Sequence, residues 1–216
     1  MHAPHTLLLM IYCLPTCTRI LQDGTTKQYA GFPSLFAHLI ILLIIQVREL
    51  TQQFPAVVPL ALILKKFLAD RSLDHPYSGG LSSYCLVLLI VRFLQHEHHL
   101  GRPINQNLGS LLMDFLYFFG NIFDPRHMRI SIQGSGIYLN RERGHSIDPI
   151  HIDDPLCPAN NVGRNCFRIH QCIKAFADAF AVLENELLQF SSECSMPAST
   201  FNILKKIIPS IDSDEL

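Results

Sequence analysis

A mainly helical domain (α+β) with a small β insert is what this sequence predicts, and three observations predict it. From residue 49 onward apolar residues recur at steps of three and four through several long segments, the period of one helix face. Only the short stretch MRISIQGSGIYLN alternates residue by residue, as a half-buried strand does. The 216 residues are 49% hydrophobic against 16% charged, enough to bury a sizeable core, which excludes disordered, collagen-like and disulfide-stapled classes. With 17 Lys and Arg against 18 Asp and Glu the net charge is −1, so there is no global basic field and any nucleic-acid contact must be local.

The N-terminal region carries two apolar runs. Leu7 to Leu14 resembles a weak signal-peptide core, but it lacks a positively charged flank and a clear small-residue cleavage site. Leu35 to Ile45 is denser yet shorter than the roughly 20 apolar residues that cross a bilayer, with Pro33 before it and Arg48 after it. It is expected as a buried helix or exposed apolar segment, laid as a makeshift cover over residues 60–68. Between the runs, QDGTTKQYAGFPS reads as loop.

In FPAVVPLALILKKFLAD, Pro59 suits a first helical turn, and Leu60, Ile63, Leu64, Phe67 and Leu68 share a face from which Lys65 and Lys66 diverge. RSLDHPYSGG is a loop. Leu81 to Gln95 is apolar nearly all round, the mark of a central helix. HEHHLGRPINQN is expected as loop, and Leu108 to Phe119 as an aromatic-rich helix stopped by Gly120 and Asn121. Two strands flank Gly134–Ser135–Gly136, and a third covers Ile147 to Ile152. The prolines and asparagines of DDPLCPANNVGR are expected to end regular structure. Phe167 to Phe190 is an amphipathic helix with Asn165 available as N-cap, and the tail from Ser191 carries little signal.

Chemistry-bearing patterns are few. The 7 cysteines (Cys13, Cys17, Cys85, Cys157, Cys166, Cys172, Cys194) have no zinc-type spacing and fit a reducing compartment. His96–Glu97–His98–His99 is not H-E-x-x-H and reads as solvated surface. Gly134–Ser135–Gly136 lacks the strand-to-helix setting of a nucleophile elbow. Ser78–Gly79–Gly80–Leu81–Ser82–Ser83–Tyr84 is more suggestive: glycines admit a close ligand, and a helix start offers N–H groups and hydroxyls to an anion. An ordinary capped turn would look the same. In Asp153 to Arg164 the side chains of Asn160 and Asn161 suit the edge of a base and Arg164 offers a fork of donors, although capping and turn roles use the same residues. Asp153 and Asp154, adjacent at a strand end, point to opposite sides and form no metal pair.

Taken together, KKFLADR, SGGLSSY and IHIDDPLCPANNVGRNCF resemble the central, PAP-associated domain of the Trf/Cid non-canonical poly(A) polymerases, terminal nucleotidyltransferases of the DNA-polymerase-β-like superfamily. The likeness covers about residues 48–190. It implies a helical domain like the substrate-binding domain of poly(A) polymerases and oligoadenylate synthetases, preceded by an unassigned segment 1–47 and followed by a tail 191–216. In that family the lysine matching Lys65 reaches the triphosphate, the serine matching Ser83 contacts it, and the tyrosine matching Tyr84 stacks on the base. The aspartate matching Asp154 contacts the base and the residue matching Asn160 helps select it, Asn marking the adenylating branch where uridylyltransferases tend to have His. Some relatives have a second triphosphate-contacting lysine where this chain has Ala69, and Lys66 is the nearest substitute. The family's catalytic Gly-Ser, D-x-D and third aspartate have no counterpart in residues 1–48, where Asp23 is the one aspartate.

The expectation is therefore a truncated or fragmentary member whose full-length relative transfers AMP from ATP to an RNA 3′ end, with no catalysis by this chain alone. The resemblance implies ATP as substrate, Mg or Mn only together with the missing catalytic domain, an RNA 3′ end as partner, and accessory RNA-surveillance proteins as in relatives. No DNA or membrane partner is expected. The location implied is nuclear, with the cytoplasm as alternative. A non-catalytic RNA- or protein-binding scaffold is the competing reading.

Overall fold

The structure, a computed structural model, describes residues 32–104, 107–134, 138–140, 147–192 and 203–209. Its helices are α1 (Phe32–Gln53), α2 (Val57–Ala69), α3 (Ser83–His99), α4 (Leu108–Tyr117) and α5 (Ile169–Ser192), and its strands β1 (Met128–Ile130), β2 (Leu139–Asn140), β3 (His151–Asp154) and β4 (Cys157–Asn161). Cys13, Cys17, Cys194 and the Leu7–Leu14 run lie outside the described residues, as do Ser135 and Gly136.

The helix that is apolar all round is indeed central: every residue from Cys85 to Leu94 is buried. It packs against α2, whose Leu60, Leu64, Phe67 and Leu68 face it from one side. An aromatic layer closes the core. Phe67 stacks on Phe176 with ring centroids 5.9 Å apart, and Phe115 meets Phe93, Phe119 and Phe176 at 5.6, 4.6 and 5.7 Å, in the tilted and edge-on geometries that aromatic quadrupoles favour. Gly120 has no side chain because α5 passes there: a Cβ would run into the backbone of Ala177. Instead of stopping α4, Gly120 and Asn121 lie in a π-helical turn, Phe118–Ile122, that continues it.

Helix bounds differ from expectation where side chains outside the apolar pattern decide them. Ser82 caps α3 by accepting from the Cys85 N–H at 3.2 Å, and His96–His99, expected in a loop, form the helix's last turn. Glu97 is buried there and pairs with Arg102 at 3.0 Å. Helix α5 begins at Ile169, so Asn165 is not its cap. In α1 the second half, through Val47 and Leu50, is buried. Ile41, Leu42 and Ile45 remain exposed, which counts against the Leu35–Ile45 run as a cover for α2. Among the described residues no helix is long and apolar enough to cross a membrane. The low-signal tail does reach the core, since Ile207 and Ile208 are buried and Lys206 pairs with Glu186 at 3.0 Å.

The sheet has the order β2-β1-β3-β4, with β1–β2 and β3–β4 antiparallel and β1–β3 parallel. The third strand begins at His151, later than the Ile147 expected. Asp153–Arg164 corrects the sequence reading further: its first half is a hairpin, closed across Asp154 and Cys157 around Pro155–Leu156. Proline is tolerated because it takes the turn position that its fixed φ favours, and the Asp154 carboxylate accepts from the Leu156 N–H at 3.0 Å. Beneath the sheet lies a buried cation. Arg92 donates to Gln95 Oε1 at 3.2 Å and sits 4.8 Å from the Tyr138 ring centroid, but its Nε and Nη2 have no partner.

Candidate nucleotide-binding site

The start of α3 and the β3–β4 hairpin meet, and this junction gathers three of the residues singled out from the sequence. Asp154, at the end of β3, receives the Tyr84 hydroxyl on Oδ1 at 3.4 Å and the Asn160 amide on Oδ2 at 3.0 Å. The pleat sends neighbouring Asp153 the other way, to Arg129 at 2.8 Å and His151 at 3.1 Å. The register of β3 and β4 shifts between Asp153 and Asp154, and a bulge of this kind re-aims side chains beside functional sites. Asn160 is exposed and the Tyr84 ring half-buried, so a carboxylate and an amide stand beside an aromatic ring that solvent reaches. Such a set can hydrogen-bond the edge of a flat heterocycle and stack on its face.

Asn161 has a different role from the one its position in the motif suggests. It is buried, its Oδ1 accepts from Ile152 and Gly163 N–H at 2.9 Å, and its Nδ2 donates to Asp148 at 3.0 Å and the Ile150 carbonyl at 2.9 Å. With both ends occupied it ties the hairpin together and has nothing left for a ligand. Arg164 is mostly exposed and lies 3.8 Å from Asp148, a loose pair that leaves its guanidinium facing water.

The two glycines before α3 serve close packing. Gly79 has φ +80°, and a Cβ there would run into the Phe167 ring. At Gly80 a Cβ would run into the Leu73 carbonyl. The loop is then pinned by Leu81 N–H to Leu73 O at 2.7 Å and by Arg168 N–H to Gly79 O at 2.9 Å. Ser82, rather than Ser83, spends its hydroxyl on the helix cap; Ser83 opens the helix one residue before Tyr84. Lys65 and Lys66 lie half-buried in the last turns of α2, which packs along α3.

A feature the sequence did not signal lies directly behind the junction. Cys85 and Cys166 share a thiol hydrogen bond, and Cys85 also reaches the Val162 carbonyl at 3.3 Å. That bond and burial raise Cys85 above the ordinary thiol range, and burial pushes Cys172 up to about 12. These are packing thiols, not nucleophiles.

Comparison with known proteins agrees with this geometry. Residues 107–160, which run from α4 through β3 and nearly all of β4, match the family model described as Cid1 family poly A polymerase. This chain carries a Cid1-family poly(A) polymerase domain. Poly(A) RNA polymerase gld-4 of Caenorhabditis elegans is 37% identical over 150 residues, 63% of this chain and 18% of the relative. The inactive non-canonical poly(A) RNA polymerase protein Trf4-2 of Drosophila melanogaster is 30% identical over 161 residues, 70% of this chain and 40% of the relative. Among solved structures, the polymerase core of TRAMP, an RNA surveillance complex, superposes with a TM-score of 0.66 at 27% identity, covering 75% of this chain and 53% of that one. The chain thus spans less than half of either curated relative and about half of the TRAMP core chain. The mainly helical α+β domain expected from the Trf/Cid resemblance is the one observed.

Proposed function

We propose that this chain is the nucleotide-holding half of a non-canonical poly(A) polymerase, binding ATP and an RNA 3′ end without adding nucleotides by itself. The observation that carries the reading is the Tyr84–Asp154–Asn160 cluster, in which an aromatic face and an Asn-bearing edge are oriented by one carboxylate. Lys65 or Lys66 supplies charge to the triphosphate, Ser83 meets it at the start of α3, and Arg164 is the free-swinging cation on the hairpin side. Asn160 offers both a donor and an acceptor, which suits adenine. The names of the relatives, poly(A) RNA polymerases and an RNA surveillance polymerase core, support nucleotide, RNA and surveillance proteins as partners.

The donors present do not fit the metal pair that phosphoryl transfer uses. Two-metal chemistry needs several carboxylates converging on ions about 3.5–4 Å apart. Among the described residues no three His, Cys, Asp or Glu side chains stand together to hold an ion. No transfer step is therefore assigned to this chain, and the inactive Drosophila relative supports a domain of this type without its own chemistry.

The test is a titration of purified protein with ATP and UTP. ATP is expected to bind, Tyr84→Ala to weaken it, and Asn160→His to shift preference toward UTP. No ATP binding would leave the scaffold reading. Processive extension of an oligo(A) primer with ATP and Mg²⁺ or Mn²⁺ would overturn the absence of catalysis.

A further inference from the structure

Phe167 is a rigidly mounted aromatic whose ring the core does not use. It is 64% exposed although Cys166 before it and Ile169 after it are buried. Arg168 fixes its backbone, the N–H donating to Gly79 O at 2.9 Å and the guanidinium to Ser72 O at 2.9 Å and Gln171 Oε1 at 2.8 Å. The ring rests on Gly79, the position that tolerates no Cβ beneath it, and the rest of the ring faces water. Two residues before Gly79, Tyr77 is 80% exposed. The surroundings are cationic: from Pro155 to Ala177 the sequence has no Asp or Glu but has Arg164, Arg168 and Lys174.

We propose that Phe167, with Tyr77 on the loop it covers, is a stacking shelf for an unpaired RNA base, the surrounding cations holding the flanking phosphates. The proposal rests on the reading of this chain as the half that holds an RNA end. An aromatic seated among cations is how single strands are gripped without sequence choice, because every base has a π-face and every linkage a charge. The mounting matters as well: a ring already fixed in place loses little freedom when a base lands on it. A protein partner would call for a continuous apolar patch, whereas these rings are set among arginines and a lysine.

The experiment measures binding of 3′-labelled oligo(A) by anisotropy, alongside ATP binding, for the wild type, Phe167→Ala, Tyr77→Ala and Phe167→Tyr. Base stacking predicts that Phe167→Ala weakens oligo(A) about 5- to 150-fold and Tyr77→Ala weakens it by a smaller factor. Phe167→Tyr should bind as the wild type, and ATP affinity should stay constant throughout. An abasic strand of equal length should bind the wild type weakly and ignore Phe167→Ala. Unchanged oligo(A) binding in both alanine variants, with ATP still bound, overturns the shelf and leaves the nucleotide reading standing. If the wild type binds neither ATP nor oligo(A), both fall.

Discussion

The Tyr84 hydroxyl and a carboxylate oxygen of Asp154 lie 3.4 Å apart, joining the first turn of α3 to the end of β3 across 70 positions of sequence. The contact is long for a strong hydrogen bond, so its value is orientation more than stability. Tyr84→Phe is expected to cost less than about 0.5 kcal/mol of folding free energy. Asp154→Ala is expected to do more, because it also releases the Asn160 amide and the Leu156 N–H. Its ATP affinity should fall at least about tenfold, the scale of a hydrogen bond to a charged group. Calorimetric titration of the two variants checks the contrast.

The neighbouring asparagines should behave in opposite ways. Asn161→Ala strands the buried Ile152 and Gly163 N–H groups and is expected to cost about 2–4 kcal/mol. Asn160→Ala removes an exposed side chain and should stay within about 0.5 kcal/mol. Urea midpoints at an unchanged m-value separate the two.

Arg92 is expected to be a liability. It is 1% exposed, two of its nitrogens lack partners, and burial lowers its pKa. Replacing a buried charge without a counter-ion by an apolar chain of similar length commonly stabilises. Arg92→Met should gain about 1 kcal/mol, with the loss of the Gln95 contact already counted, and should appear as a raised melting temperature. A lowered one would mean that the guanidinium is held by more than its ring contact.

Acid should act through Asp124. Its carboxylate accepts the Arg126 side chain at 2.9 and 3.0 Å, the Arg126 N–H at 2.9 Å and His127 at 2.9 Å, and these bonds, the Arg126 side chain first, hold it below the ordinary carboxylate range. A depressed native pKa stabilises the fold above the unfolded value, about 3.9, and the effect is lost as pH falls through and below it. About a third of the side chain is exposed, so the effect is discounted to under about 1 kcal/mol. Asp124→Asn should therefore be slightly weaker than the wild type at pH 7 and equal to it at pH 2, as read from unfolding free energies across that range.

Helices were legible from the sequence because burial imposes its period on them: α2 and α3 show it over their whole lengths. The hairpin was hidden because Pro155, Pro158, Asn160 and Asn161 look like loop composition. The information that overrides them, a side chain of Asp154 closing the turn, is a three-dimensional fact. For the same reason two adjacent asparagines could not be told apart, since their roles follow from which face the strand gives each. Gly79 and Gly80 looked like ligand-facing glycines, yet the atoms that exclude a side chain there come from Phe167 and Leu73. The charge in α3 was overlooked inside an otherwise apolar run, where periodicity speaks of surfaces and not of partners.

The shifted register of the hairpin bears on changes of length as well as of residue. Asp153 stands opposite Asn161 and Asp154 opposite Cys157, so the stretch between Cys157 and Asn161 lies off the paired positions of the ladder. An insertion there can be taken up by the bulge, whereas one between Asn161 and Gly163 would unseat four hydrogen bonds at once. The site can thus change its reach toward a ligand by gaining or losing a residue on one side of Asn161, while the other side keeps its length.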